Sequence, residues 1–85
     1  MVKLHIKDHC IETAAKLEFK RLMDKYFETD NDTGTLEDKI EVLREFIETA
    51  DFVYLRGNDP RLSGEVETVV FIKKENDEIN IIFSD

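Results

Sequence analysis

Five carboxylates, Glu28, Asp30, Asp32, Glu37 and Asp38, fall within twelve consecutive residues from Phe27, and no Lys or Arg interrupts them. Oxygen donors crowded on a turn-forming stretch are what a hard divalent cation such as Ca²⁺ takes as ligands. Glu28, Asp30 and Asp32 also follow a segment with helical periodicity, so they stand near its negatively polarised end. Each such misplaced charge costs about 0.3 to 1 kcal/mol when unscreened. A bound cation would reverse that cost, and the expected cation ligands are Glu28, Asp30, Asp32 and Glu37. A second acidic row follows at helical spacing: Glu37, Asp38, Glu41, Glu45 and Glu48, interrupted only by Arg44. Glu37–Glu41 and Glu41–Glu45 are i,i+4 pairs of like charge, which destabilise an isolated helix slightly. A row of one sign steers a basic protein partner into contact and fixes its register, so these five residues are the expected partner-binding set.

Asp30, Asp32 and Glu41 occupy relative positions 1, 3 and 12, which resembles the calcium loop of an EF-hand. The likeness covers this helix-loop-helix alone. Gly34 falls at position 5 rather than 6, and Glu37 stands at position 8 where an apolar residue belongs. The chain is not assigned to that family on these residues.

Other chemistry finds less support. His5, His9 and Cys10 amount to three metal ligands where a structural zinc site takes four. Cys10 lacks any evident orienting arrangement for a nucleophile. Arg56 and Arg61 flank a Gly-containing turn, and pairing with neighbouring acids is their expected use. No serine motif or glycine-rich nucleotide fingerprint occurs. The expectation is a non-enzymatic protein with no assured cofactor.

Charge is segregated along the chain. Residues 1–27 hold 6 bases and 4 acids, whereas residues 28–85 hold 6 bases and 16 acids, for a net charge of −8 overall. Such a surface disfavours nucleic acid, since no basic stripe is present to neutralise phosphates. At 41% hydrophobic and 38% charged, the 85 residues suit one small globular domain, 1–85. The single cysteine fits a reducing compartment. No run of aliphatic and aromatic residues is longer than the four of Val69–Ile72, so neither a signal peptide nor a membrane span is expected. Together these point to the cytoplasm.

The elements that must position these residues follow from periodicity. Val2, Leu4 and Ile6 alternate with polar residues and predict a strand, with Asp8 as N-cap of a helix over 9–29. Ile11, Ala15, Phe19, Leu22, Met23 and Tyr26 form that helix's apolar side, with Leu17 off it. Asp30 to Gly34 breaks the pattern. Thr35 opens a second helix with Leu36, Ile40, Leu43, Phe46, Ile47 and Ala50 inward, and Asp38 stands at the acid position of a capping box. Phe52–Arg56 is rich in β-formers and reads as a strand ending at Gly57. Asp59-Pro60 suits a type I turn. Glu65–Lys73 and Ile79–Phe83 read as a hairpin about the turn Glu75–Glu78.

The resulting order, β-α-α-β-β-β, predicts an α+β domain. Its simplest form has two layers: a four-stranded, mostly antiparallel sheet with both helices packed on one face. The face left uncovered would carry Val69, Phe71 and Ile82, a candidate surface for a homodimer.

Overall fold

A computed structural model describes residues 1–28 and 34–84. Strand β1 (Val2–Ile6) leads to helices α1 (Ile11–Glu28), α2 (Gly34–Thr49) and α3 (Phe52–Asn58). A single 3₁₀ turn (Pro60–Leu62) and strands β2 (Thr68–Glu75) and β3 (Glu78–Ser84) complete the chain. The sheet has the order β1-β2-β3 and is antiparallel throughout, with Leu4 opposite Val70 and Ile72 opposite Ile81. The α+β class therefore holds, with three strands among the described residues where four were expected and three α-helices where two were expected.

The helical stripes explain the second layer. Val2, Leu4 and Ile6 of β1 and Val70 and Ile72 of β2 are buried on one sheet face. Against them lie Ile11, Ala14, Ala15 and Leu22 of α1 and Leu43 and Phe46 of α2. Leu17, which the periodicity places off the inner side of α1, is exposed. Ile79, Ile81 and Phe83 of β3 face the same core but are only half-buried. The helices thus cover β1 and β2 more completely than β3.

The error in strand count lies at Phe52–Arg56. Asp51 caps this segment as a helix: its Oδ1 accepts a hydrogen bond from the Tyr54 N–H at 3.0 Å, and its carbonyl accepts from the Leu55 N–H at 3.0 Å. Phe52 and Leu55, three residues apart, turn inward, while Val53 and Tyr54 are 72% and 63% exposed. A strand would have put Phe52 and Tyr54 on one face. The cap and the edge-to-face packing of Phe52 on Phe46, with centroids 5.5 Å apart, outweigh the β propensity of the five residues.

Two caps also differ from expectation. Asp8 has a φ of 64° and lies outside α1, whose first turn is closed by the Ala14 N–H on the Cys10 carbonyl at 3.0 Å. Helix α2 begins at Gly34, so Thr35 and Asp38 lie within it rather than across its cap. The turn at Asp59-Pro60 forms as read, closed by the Leu62 N–H on the Asp59 carbonyl at 3.0 Å. The hairpin forms too. Asn76 and Asp77, with φ of 53° and 64°, make its two-residue turn, and Asn and Asp tolerate that left-handed geometry better than other non-glycine residues.

Candidate acidic surface

Helix α2 positions the acidic row because its apolar stripe is committed to the core. With Leu43 and Phe46 fully inward, Glu37, Asp38, Glu41 and Glu48 fall on the exposed side, and Glu45 lies half-buried at its margin. Glu37 accepts a hydrogen bond from the Tyr26 hydroxyl at 2.9 Å, which ties the start of α2 to the end of α1. That contact holds the phenol's pKa above its ordinary value. Glu45 pairs with Lys74 of β2 at 2.9 Å, and the carboxylate raises the lysine's pKa in turn. Among the described residues, no cationic group comes within 4 Å of the carboxylates of Asp38, Glu41 or Glu48. The bases of α1 do not supply one. Lys16 and Arg21 pair with Glu12 and Glu18 of their own helix, at 3.1 and 2.7 Å.

The last turn of α2 contains no basic residue, so Glu45 and Glu48 approach the negative end of the helix dipole. Beside that end lies a cleft of about 510 Å³ between α2, the start of α3 and the hairpin. Phe46, Ala50, Leu55, Ile79 and Ile81 give it an apolar floor, and Glu45, Asp51, Asp77 and Glu78 rim it with carboxylates. Tyr54 adds an exposed aromatic ring. An ammonium or guanidinium on an aliphatic stem finds matching surroundings here: carboxylates for the head, apolar carbon for the stem and a ring face for the charge. The sequence shows the ridge on α2. It does not show the cleft, which three segments distant in sequence build together.

The remaining expected site residues are placed as follows. Asp30 and Asp32 lie outside the described residues. Glu28 ends α1 and Glu37 is in the first turn of α2. Among the described residues, no group of three or more His, Cys, Asp or Glu side chains is arranged to hold a metal ion. Arg61 chelates Asp59, with Nε to Oδ1 at 3.0 Å and Nη2 to Oδ2 at 2.8 Å, and its guanidinium lies 3.7 Å from the centre of the Phe83 ring. Val69, Phe71 and Ile82 share the outer sheet face, Phe71 directly opposite Ile82. Ile82 is 42% exposed, while Val69 and Phe71 are half-buried beside their cross-strand neighbours His5 and Lys3. His5 Nε2 and Glu67 Oε1 lie 2.7 Å apart.

Fold and surface together define a small α+β protein whose second helix exposes Glu37, Asp38, Glu41 and Glu48. A family model matches residues 1–82, and the chain belongs to that family. A relative from Archaeoglobus fulgidus, described as an uncharacterized protein, is 34% identical over 79 residues, a stretch covering 91% of each chain. No solved structure matches the chain. No helix among the described residues is long and apolar enough to cross a membrane.

Proposed function

We propose that this protein is a non-enzymatic binding module that engages a basic protein partner, in the manner of an inhibitor, antitoxin or assembly subunit. Its acidic α2 face and the adjoining cleft form the contact surface. One observation carries the reading: Asp38, Glu41 and Glu48 stand exposed on α2 with no cation within 4 Å among the described residues. Exposed like charges along one helix repel one another, and Glu48 also stands near the negative end of the helix dipole; a basic surface relieves both on contact.

The test is retrieval of a partner from native cell extract at low salt, followed by salt titration of the purified pair. Affinity should fall as ionic strength rises, because exposed charges are screened over about 10 Å at 0.1 M salt. The double variant Glu41→Lys/Glu48→Lys should bind on the order of tenfold more weakly at low salt. A control with the same net charge, Glu65→Lys/Glu67→Lys, alters acids outside α2 and should bind nearly as the parent does. Equal loss in both variants, or affinity indifferent to salt, overturns the assignment of the contact to α2.

A further inference from the structure

Strand β3 is an outer strand of the sheet, and no strand among the described residues pairs with its free edge. In an antiparallel ladder each residue's backbone groups point alternately toward and away from the neighbouring strand. The two-residue turn makes Glu75 and Glu78 the closing hydrogen-bonded pair, so Glu78, Asn80, Ile82 and Ser84 direct their backbone groups to β2. Ile79, Ile81 and Phe83 direct theirs outward. Among the described residues, no hydrogen bond reaches these outward groups. Natural sheets protect such edges with lysine, proline, a bulge or a covering segment. The other outer strand, β1, carries Lys3 and is followed by Lys7. From Ile79 to Ser84, β3 carries no charge at all. The same three residues are the incompletely covered part of the core, half-buried where Val70 and Ile72 of the central strand are fully buried.

We infer that β3 pairs antiparallel with β3 of a second copy of this chain, joining two three-stranded sheets across a two-fold axis at Ile81. The strand is its own complement in this register. Ile81 faces Ile81 of the partner subunit, and Ile79 faces Phe83 of the partner subunit. Three facing pairs, with Phe83 against Ile79 of the partner subunit, each exchange two backbone hydrogen bonds. Glu78 falls opposite Ser84, so no carboxylates face one another along the ladder. The contact is isologous and closes at two copies. A slip of one residue would turn the apolar set to the wrong face.

This pairing does not require the acidic reading of α2, although Ile79 and Ile81 also floor the cleft assigned to that contact surface, and salt separates the two. Two chains of charge −8 repel, so added salt strengthens self-association while weakening capture of a basic partner. Sedimentation equilibrium of the full chain, from micromolar to near-millimolar concentration, should show the mass rising toward that of a dimer. Amide exchange followed by NMR over the same range should slow at Ile79, Ile81 and Phe83 by roughly tenfold or more. Ile81→Pro deletes an outward donor without touching the β2 ladder and should stay monomeric. Ile81→Ala keeps that donor with less side chain and should still dimerise, more weakly. A wild-type chain that stays monomeric throughout overturns the inference. So does a dimer whose three edge amides exchange as fast as in the monomer, which would place the contact elsewhere, such as the outer face at Val69, Phe71 and Ile82.

Discussion

Lys74 Nζ donates to Glu45 Oε2 at 2.9 Å, so a residue of β2 neutralises one member of the α2 acidic row at the mouth of the cleft. Lys74→Gln should release Glu45 toward the cleft and make the row more negative. Binding of a fluorescein-labelled oligo-lysine peptide should then tighten, with a steeper dependence on salt. Thermal stability should change little near neutral pH, since the pair is exposed. The hydrogen bond and charge of Glu45 raise the pKa of Lys74. Its contribution to stability is therefore complete below the ordinary lysine value and is lost as pH rises through the raised one. The variant's alkaline stability profile should lack that component. Unchanged or weaker peptide binding would show that Glu45 does not contribute to the acidic face.

That ion pair also marks where sequence reasoning stops. The ridge on α2 is legible because Leu43 and Phe46 fix which side faces the core, and Glu41 and Glu48 then fall outside by spacing alone. The hairpin is legible because Asn76-Asp77 suits a tight turn between apolar runs. Lys74 is 29 residues from Glu45, and nothing local foretells that β2 places it over α2. The cleft is hidden for the same reason, since Phe46, Leu55 and Ile79 meet only through packing. Phe52–Arg56 misleads in another way. Its residue types favour a strand, while the informative signals are Asp51 ahead of it and the three-residue step from Phe52 to Leu55.

If Asp51 decides that this segment is helical, removing its side chain should be costly. Asp51→Ala deletes the acceptor for the Tyr54 N–H and should destabilise the protein by about 1 kcal/mol. Asp51→Asn retains an acceptor oxygen and should recover most of that loss. Urea denaturation measures both, and faster amide exchange at Tyr54 in the alanine variant would locate the effect at the start of α3. Equal stability of the alanine variant and the parent would mean that the Phe46–Phe52 contact alone holds the helix.

Two glycines should respond in opposite directions to alanine. Gly64 has a φ of 92°, and a Cβ there would lie 2.5 Å from the His9 carbonyl oxygen and 2.6 Å from its carbon. The loop before β2 thus presses against the β1–α1 connection, backbone on backbone, with nothing flexible to give way. Gly64→Ala should destabilise by about 2 to 4 kcal/mol through strain and collision together. Gly57 lies within α3 and has no positive φ. Beyond its own helix, nothing stands within 4 Å of where its methyl group would be added. Gly57→Ala should therefore stabilise by about 0.5 to 1 kcal/mol. Paired denaturation curves test the contrast, and a stabilised Gly64→Ala chain would contradict the close approach to His9.

Cys10 immediately precedes α1, and its Sγ lies 3.8 Å from the Thr13 hydroxyl oxygen. Partial burial pushes the thiol's pKa upward. Hydrogen bonds from the Thr13 backbone and side chain and from the Glu12 backbone, together with the charge of Arg56, bring it below its ordinary value. A thiolate at a helix start is favoured by the unsatisfied N–H groups of the first turn. The pH profile of iodoacetamide alkylation should therefore have its midpoint below that of free cysteine. Thr13→Val removes the hydroxyl and Arg56→Gln removes the charge, so each should move the midpoint upward. With one cysteine in the chain, intact-mass measurement reports this site alone. A midpoint at or above that of free cysteine would mean that burial prevails over the hydrogen bonds at this helix start.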